Sequence, residues 1–568
     1  MIIENIINAS VELFTISTVI LMAVGVVAGL IAGAIPGFTF AMAVVLVLPF
    51  TFSMTPVAGL ATMMGVYVGG LSGGLMSGIL TGIPGTPSSV ATTFDGFPMA
   101  RNGQPGLALG LGVWSSFFGG ILSAIVLVLV APQIALIGLE FQPWDFFSLV
   151  IFALTVTASL AADNLLKGLI SGLLGLLVAT IGTDVIFGLP RLNFGSEALV
   201  QGFQFLPVLI GLFAFSQLLN DVRDPEMARS KISDGDAQSI KIEHRKAAIA
   251  VLKSWVNLLR STIIGIFVGI LPAAGSSISN ILAYDQAKKS SKTPEKFGTG
   301  FSDGIIAPES ANNATAGGTL ITMMALGIPG DIVTAIMLGA LLIHDVVPSP
   351  SFIADQPVIA YSIFISFFVA TFMMLGLQSI TLKGFVRITR LKMYILASII
   401  LFYTAVGVFA LNNIEFDMWT LFLFGVFGFV LKALGFPIVP VILGVVLGSI
   451  AEKNLSQAFA ITTDLAPFIT RPWSLFFLTL GAVSIFFPAY QKSRGKEKWT
   501  LAFIPVFVMA LSPSVFMMDG VIRPYVVAPF LLVLGGFMLW RRISGGWVLD
   551  QDDTGALVDA PDPSQLDE

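Results

Sequence analysis

The sequence contains no cysteine and only two histidines. Without cysteine, the chain cannot form a disulfide framework, an Fe–S cluster or a thiolate zinc site. His244 lies in a charged segment and His344 begins HDVVPSP, and neither shows a metal-ligand spacing such as HExxH. These absences argue against a membrane metalloenzyme, and we expect a protein without catalytic residues or a resident cofactor.

Charged residues are also scarce, at 11% of a 568-residue chain in which 55% of the residues are hydrophobic and the mean hydropathy is +0.91. Soluble domains carry roughly 25% charged residues. Apolar runs of about 20 residues, long enough to cross a bilayer as a helix, recur along most of the chain. The N-terminal MIIENIINAS has no basic residue before its first apolar run, so we expect that segment to be retained. The sequence therefore predicts an all-α polytopic membrane protein.

Three pairs of segments resemble each other in the same order in the two halves of the chain. The first pair shares small residues followed by Gly-x-x-Pro, and the second pair ends in the tetrapeptide GIPG. The pairs are AGLIAGAIPGF (28–38) with GIFVGILPAAG (265–275), YVGGLSGGLMSGILTGIPG (67–85) with NNATAGGTLITMMALGIPG (312–330), and LPVLIG (206–211) with VPVILG (439–444). Corresponding broken segments in two halves are typical of secondary transporters built from structural repeats.

The basic residues predict that the second half is inverted with respect to the first. Basic clusters flank residues 256–287 on both sides, and Lys and Arg favour cytoplasmic loops, so this segment enters and leaves on one face as a re-entrant hairpin. The corresponding residues 13–52 have no basic flank and would enter from the opposite face. The predicted divisions are a first transmembrane repeat (1–220), a cytoplasmic linker (221–254), a second, inverted transmembrane repeat (255–450), additional C-terminal transmembrane helices (451–540) and an acidic cytoplasmic tail (541–568).

Each GIPG tetrapeptide is predicted to end one half-helix and to start another, because glycine frees the backbone to turn and proline opens a helix. Helix N-termini exposed at membrane depth would bind an anionic carboxylate without a buried Lys or Arg. The alternative is that GIPG only kinks a helix for packing. The predicted substrate-binding residues are Pro36, Gly37, Gly82, Pro84, Gly85, Thr86, Ser88, Ser276, Ser277, Gly327, Pro329 and Gly330.

A second candidate site lies in the polar stretch of residues 300–331, which is bounded by segments that must span the membrane. Polar groups survive in hydrocarbon only where they face protein or a water-filled cavity. We predict a sodium site at Asn312, Asn313 and Thr315, with amide and backbone oxygens as ligands. The alternative for the Asn pair is interhelical hydrogen bonding. For Glu309, two interpretations stay open: a place in this sodium site or a position on a cytoplasmic loop.

Stripes of small residues precede the predicted breaks in both halves. Gly25, Gly29 and Gly33 are spaced four apart, as are Gly265 and Gly269. Such spacing places the glycines on one face of a helix and lets two backbones approach closely. We therefore predict close helix packing at these glycines in preference to ligand contacts.

The chain resembles the TctA-type large membrane subunit of the bacterial tripartite tricarboxylate transporters. The resemblance covers residues 20 to about 490. The similar segments are FGTGFSDGIIAPESANNATAGGTLITMMALGIPGD (297–331), AGLIAGAIPGF (28–38), PRLNFGSEALVQGF (190–203), LGFPIVPVILGVVLGSIAEKNL (434–455) and ITRPWSLFF (469–477). The resemblance implies an elevator-type secondary transporter of the inner membrane that takes up tricarboxylates such as citrate, or related carboxylates, in symport with a cation, usually sodium.

The resemblance also implies two partners, a small four-span membrane subunit and a periplasmic substrate-binding protein. Family members usually end soon after the segment corresponding to residues 473–490, whereas this chain continues with apolar runs at 499–518 and 523–540. The alternatives are a carboxylate transporter or exporter that works without a binding protein, a passive channel and a membrane-embedded enzyme. A channel would need a continuous polar lining, but the polar residues concentrate at the breaks.

Overall fold

The structure is a computed structural model, and it describes residues 2–35, 39–161, 164–184, 186, 188–223, 240–272, 275–344, 346–388, 401–402, 404–409, 413–494 and 496–544. Helices make up nearly all of the regular structure in this part of the chain. The helices before residue 224 are α1 (Ile2–Leu13), α2 (Ile16–Ala34), α3 (Phe40–Thr51), α4 (Pro56–Thr81), α5 (Val90–Arg101), α6 (Pro105–Gly138), α7 (Pro143–Ala161), α8 (Leu165–Ala179), α9 (Phe205–Ile210) and α10 (Ser216–Arg223).

The later helices are α11 (His244–Lys253), α12 (Trp255–Ile270), α13 (Gly275–Lys289), α14 (Asp303–Leu326), α15 (Ile332–Ile343), α16 (Phe352–Asp355), α17 (Pro357–Ile388), α18 (Glu415–Ala433), α19 (Ile438–Ile461), α20 (Pro467–Thr470), α21 (Pro472–Ser493), α22 (Thr500–Phe516) and α23 (Ala528–Ser544). Single 3₁₀ turns occur at Pro87–Ser89, Ala198–Gln201 and Pro294–Lys296, and π turns at Gly211–Phe215 and Arg523–Val527. Strands β1 (Gly182–Thr183) and β2 (Pro190–Arg191) form one antiparallel pair.

Eight helices in the described ranges are long and apolar enough to cross a membrane. They are α2, α4, α6, α17, α18, α19, α21 and the continuous segment Arg523–Ser544. A ninth candidate combines α11 with α12, whose axes are bent by 82°. The prediction of an all-α polytopic membrane protein is confirmed by this composition of helices.

The chain divides into two compact units. The first comprises Met1–Glu140 and Ile170–Ser449, and it contains all of the predicted site residues. The second comprises Phe141–Leu169 and Ile450–Glu568. In the second unit, α7 packs against α21, and α22 packs against α23.

A buried ion pair joins the starts of α7 and α21 within the second unit. Arg471 Nη2 lies 2.7 Å from Asp145 Oδ2, and the Asp145 side chain is fully buried. The Arg471 guanidinium also stacks over the Trp144 ring, 5.7 Å from its centroid. Separating the two side chains would leave an uncompensated buried charge. The pair therefore holds the first turns of α7 and α21 next to each other.

Two helices form the centre of the first unit, α4 and α14. All but the last turn of α4 is buried, and nearly every residue of α14 is buried as well. The two helices contact each other directly, and other helices surround them: α2, α3, α5 and α17 pack against α4, while α5, α6, α12 and α13 pack against α14. The polar residues of α14 are therefore enclosed by protein, where polar groups require internal partners.

Glycines bring the neighbouring helices of both halves into backbone contact. A Cβ on Gly29 of α2 would overlap the carbonyl oxygen of Val66 in α4. In the second half, a Cβ on Gly269 of α12 would overlap the carbonyl oxygen of Thr315 in α14. The prediction of close helix packing at these stripes is confirmed, because only a residue without a side chain fits there.

Candidate functional site

Both GIPG tetrapeptides end a helix, as predicted. Gly82 follows the last residue of α4 with φ 76°, and Gly327 follows the last residue of α14 with φ 72°. Positive φ is the left-handed conformation that terminates a helix and that favours glycine. The first glycine of each tetrapeptide therefore has a backbone role.

The predicted role of proline as the opener of the next helix is wrong for both copies. Pro84 and Pro329 lie in the non-helical connections, and the next helices begin later, after extended residues at Thr86 and Asp331. Each of these residues forms a reciprocal capping box with the residue three positions on. The hydrogen bonds of the cap set the start of the helix.

The last glycine of each tetrapeptide packs against the backbone of the small-residue stripe. A Cβ on Gly85 would overlap the carbonyl oxygen of Gly33, and a Cβ on Gly330 would approach the carbonyl oxygen of Gly269 to 2.5 Å. The two breaks therefore pack against equivalent positions in their own halves. These glycines allow two backbone segments to approach closely, and they have no side chain that could bind a ligand.

The two helix starts differ in charge, because Asp331 occupies the position that Thr86 occupies in the first copy. Asp331 Oδ1 accepts hydrogen bonds from the Thr334 N–H at 2.8 Å and hydroxyl at 2.7 Å. Its Oδ2 accepts a bond from the Tyr67 hydroxyl at 2.7 Å. The second helix end thus already holds a buried carboxylate, which sequence reasoning did not weigh and which a D-x-x-T capping pattern could have indicated. An anionic substrate is disfavoured at this end.

The first helix end instead carries neutral hydroxyl groups. Thr86 Oγ1 lies 2.9 Å from Ser88 Oγ, and Ser89 Oγ donates to the Thr86 carbonyl at 2.9 Å. All three side chains are buried. This end therefore offers polar groups without a competing negative charge.

The first turns of α13, which follow the tip of the second hairpin in the chain, contact this first helix end. Asn280 Nδ2 donates to the carbonyls of Ser276 at 2.8 Å, Ser277 at 3.0 Å and Pro87 at 3.3 Å. Its Oδ1 accepts a bond from the Ala91 N–H at 3.3 Å. The predicted residues Ser276 and Ser277 are thereby brought beside the segment that contains Thr86 and Ser88.

Two predicted site residues cannot be placed. Pro36 and Gly37 lie outside the described residues. Gly275, the first residue of α13, lies near the Asp331 side chain, with 3.7 Å between its Cβ position and Asp331 Cβ. The start of α13 therefore contacts the segments that follow both GIPG breaks.

Asn313 and Thr315, two of the predicted sodium ligands, take part in packing between helices. Asn313 Nδ2 donates to the Glu309 carbonyl at 3.2 Å, and its Oδ1 accepts a bond from Ser72 of α4 at 2.9 Å. Thr315 Oγ1 lies 2.6 Å from Ser279 Oγ of α13. The contacts with Ser72 and Ser279 join α14 to α4 and α13, and the Glu309 contact lies within α14. Sodium ligation by Asn313 and Thr315 stays a prediction.

Asn312 differs from Asn313 because its amide oxygen accepts no hydrogen bond from the described residues. Its Nδ2 donates to the Leu71 carbonyl of α4 at 2.9 Å. Its Oδ1 is buried and has no hydrogen-bond partner among the described residues. Unsatisfied buried acceptors are costly, so this oxygen is a candidate ligand atom.

Glu309 is a helical residue of α14 and fully buried, which excludes its placement on a loop. Thr92 of α5 donates a hydrogen bond to Glu309 Oε1 at 2.6 Å, and Ser116 of α6 donates to Oε2 at 2.9 Å. Sequence reasoning missed both hydroxyl partners, because they are distant in the chain.

Asp95 of α5 is another buried carboxylate, and sequence reasoning did not identify it. It accepts bonds from the N–H groups of Gly298, Gly300 and Phe301 and from the Tyr284 hydroxyl, at 2.7–3.0 Å. These donors satisfy both carboxylate oxygens. Asp95 therefore fastens α5 to the segment that precedes α14, and it does not form part of an open site.

Comparison with known proteins identifies the chain's relatives. The family model described as the tripartite tricarboxylate transporter TctA family matches residues 19–443. An uncharacterized 52.8 kDa protein in the TAR-I ttuC' 3' region of Agrobacterium vitis is 31% identical over 478 residues, covering 84% of this chain and 93% of that protein. An uncharacterized protein in the TAR-II ttuC' 3' region of the same organism is 31% identical over 234 residues, covering 41% of this chain and 97% of that protein.

No solved structure matches the chain. The family match extends over both GIPG breaks, the α14 polar cluster and both hairpins. It agrees with the helical, multi-pass architecture and with the resemblance seen in the sequence motifs. The chain belongs to the TctA family of the tripartite tricarboxylate transporters.

Proposed function

We propose that the chain is the large membrane subunit of a sodium-coupled secondary transporter that imports tricarboxylates such as citrate, or related carboxylates, across the bacterial inner membrane. The observation that carries this proposal is the contact between a helix start from the first half and the first turns of α13 from the second half, through Asn280. Sites between two repeats, at broken helices, are where secondary transporters bind their substrates.

The substrate carboxylate would bind at the first helix end, where Thr86, Ser88 and Ser277 provide hydroxyl groups. The start of α5 adds the positive end of a helix dipole, which favours an anion. The second helix end does not fit this role, because Asp331 supplies a carboxylate of its own. The substrate site is therefore asymmetric although the breaks are similar.

The two halves would form an inverted repeat whose hairpins and broken helices move together in an elevator-type cycle. The equivalent packing of Gly85 on Gly33 and of Gly330 on Gly269 supports a common design for the halves. Membership of the family supports partnership with a small four-span membrane subunit and a periplasmic binding protein. A stand-alone transporter or exporter without a binding protein is the alternative.

Uptake by the reconstituted complex tests the function. In proteoliposomes containing this chain and the small subunit, an inward sodium gradient and added binding protein should drive accumulation of radiolabelled citrate or a competing carboxylate. Replacing the gradient with equal sodium on both sides should abolish accumulation. Uptake that proceeds unchanged without the binding protein would favour the stand-alone alternative, and the absence of sodium-driven accumulation of any tested carboxylate would refute the proposal.

Single-cysteine labelling tests the inverted arrangement, since the chain has no native cysteine. Ser53 and Val347 are exposed residues beyond α3 and α15, and Ser290 is an exposed residue after α13. We expect cysteine at Ser53 or Val347 to react with an impermeant maleimide from outside intact cells, and cysteine at Ser290 to react only after permeabilisation. Labelling of Ser53 and Ser290 variants from the same side would contradict an inverted repeat.

A further inference from the structure

Glu309 lies where three helices of the first unit meet. The carboxylate belongs to α14, the Thr92 hydroxyl that binds Oε1 belongs to α5, and the Ser116 hydroxyl that binds Oε2 belongs to α6. The three side chains have no solvent exposure. The first half of the chain supplies both hydroxyls and the second half supplies the carboxylate.

Glu309 has no basic partner. Among the residues that the structure describes, no Lys, Arg or His side chain forms an ion pair with it. Two neutral hydroxyl groups compensate only part of the cost of removing a carboxylate from water. Buried charges in proteins are paired with an opposite charge or coordinate a metal ion.

The surroundings of Glu309 also contain unused oxygen ligands. An ionised carboxylate has about four lone-pair positions, and the two hydroxyls occupy two of them. Asn312 lies one helical turn further along α14, and its Oδ1 is buried and has no hydrogen-bond partner among the described residues. A buried carboxylate without a basic partner and an unsatisfied amide oxygen one helical turn away are both features that a cation site requires.

We propose that Glu309 is the centre of the binding site for the coupling cation, and that this cation is sodium. The other ligands are neutral oxygen atoms, namely Asn312 Oδ1 and the hydroxyls of Thr92 and Ser116. The inference rests on the proposed function, because it locates the coupling ion of that transporter. It moves the site away from Asn313 and Thr315, whose hydrogen bonds are used in packing.

The charge of the site fits a monovalent cation. One carboxylate and three neutral oxygens carry a single negative charge, which one sodium ion neutralises. Divalent cations such as calcium usually take six to eight oxygen ligands. The described residues contain no group of three or more His, Asp or Glu side chains that could hold a metal ion together.

The position of Thr92 links this cation site to the substrate site. Thr92 is about one helical turn beyond Ser88 and Ser89, on the segment whose start contacts Asn280 of α13. A cation held by Glu309 would stabilise the position of α5 and add positive charge near an anionic substrate. Coupling of this kind is reciprocal, so the carboxylate would also raise the affinity for sodium.

Sodium-dependent thermal stability of the purified full-length chain tests the site without requiring transport. A cation that binds only the folded state raises the melting temperature. We expect NaCl to raise the melting temperature of the wild-type protein above that in equal choline chloride, and Glu309→Gln to remove this difference. Asn312→Ala should retain the effect but require at least about tenfold more sodium.

Asp331→Asn is the matched control, because Asp331 is also a buried carboxylate of the first unit, and its hydrogen-bond partners differ from those of Glu309. It should keep the sodium-dependent shift. Loss of the shift in Asp331→Asn with retention in Glu309→Gln would overturn the proposal, as would an equal effect of sodium and choline on the wild-type protein. Should Glu309→Gln fail to fold, an unchanged sodium response in both Asn312→Ala and Ser116→Ala would overturn it as well.

These outcomes separate the cation site from the transport function. A Glu309-dependent sodium shift combined with an absence of sodium-driven carboxylate uptake would support the site and refute the proposed function. If Glu309→Gln changes neither sodium-driven uptake nor the sodium-dependent shift in melting temperature, the transport function is supported and the cation site at Glu309 is refuted.

Discussion

Replacing Gly269 with valine is expected to abolish accumulation of the folded protein. A Cβ at this position would overlap the Thr315 carbonyl oxygen and would lie 2.9 Å from Gly318 Cα and from the Thr319 backbone nitrogen. The obstructing atoms belong to the backbone of α14, which is fixed by its other neighbours and cannot move aside locally. Overpacking of a core costs typically 1–3 kcal/mol where side chains can adjust, so we expect a cost above about 3 kcal/mol here.

Size-exclusion chromatography of the detergent-solubilised protein measures this effect. Gly376→Val is the matched control, because Gly376 lies on α17 and a Cβ there meets nothing within 4 Å. Gly33→Val in the first half should behave like Gly269→Val, since a Cβ on Gly33 would overlap the Gly70 carbonyl oxygen of α4. A Gly269→Val protein with a wild-type elution profile and melting temperature would show that α12 and α14 can separate at little cost.

The features that could be predicted from the sequence are those that depend on residues close together in the chain. The helix ends at Gly82 and Gly327 follow from GIPG, because glycine readily adopts the left-handed conformation that ends a helix, and the proline two residues later disfavours its continuation. The close packing at Gly29 and Gly269 follows from small residues spaced four apart. The class of the fold follows from apolar runs of the length that a bilayer requires.

The pairing of polar side chains could not be predicted in the same way. Thr92 and Glu309 are separated by 217 residues, and nothing local in either segment indicates that α5 and α14 bring them within 2.6 Å. Asn313 looked like a ligand from its neighbours in the chain, but Ser72, in the other half of the chain, supplies the partner that satisfies it. Tertiary contacts decide which polar groups of a buried helix remain available.

Asp331 shows a further limit of reasoning from a repeat. The tetrapeptides are identical, which suggested identical anion-binding ends, but the next residue is Thr86 in one copy and Asp331 in the other. A single substitution at a helix cap reverses the electrostatic preference of that end, because the carboxylate takes the place that an anionic ligand would occupy. The repeat therefore fixes the backbone geometry, and the capping residue determines which end can accept an anion.

Thr86→Asp is expected to lower the affinity for the carboxylate substrate at least about a hundredfold while leaving the fold intact. The second copy of the motif already carries aspartate at this position and starts its helix with it, so the backbone tolerates the change. A carboxylate about 5 Å from a substrate carboxylate costs about 3 kcal/mol per substrate charge at an effective dielectric constant near 20, which corresponds to roughly a hundredfold in affinity.

Thr86→Asn separates charge from shape, because asparagine caps a helix as well as aspartate and has nearly the same size. We expect Thr86→Asn to lose far less affinity than Thr86→Asp when citrate binding is measured by calorimetry on the purified transporter complex and uptake is measured in proteoliposomes. Equal losses in the two variants would mean that the side chain at position 86 acts through packing. Near-wild-type citrate affinity in a correctly folded Thr86→Asp protein would place the substrate elsewhere, because a fixed negative charge at the start of α5 must repel an anion bound there.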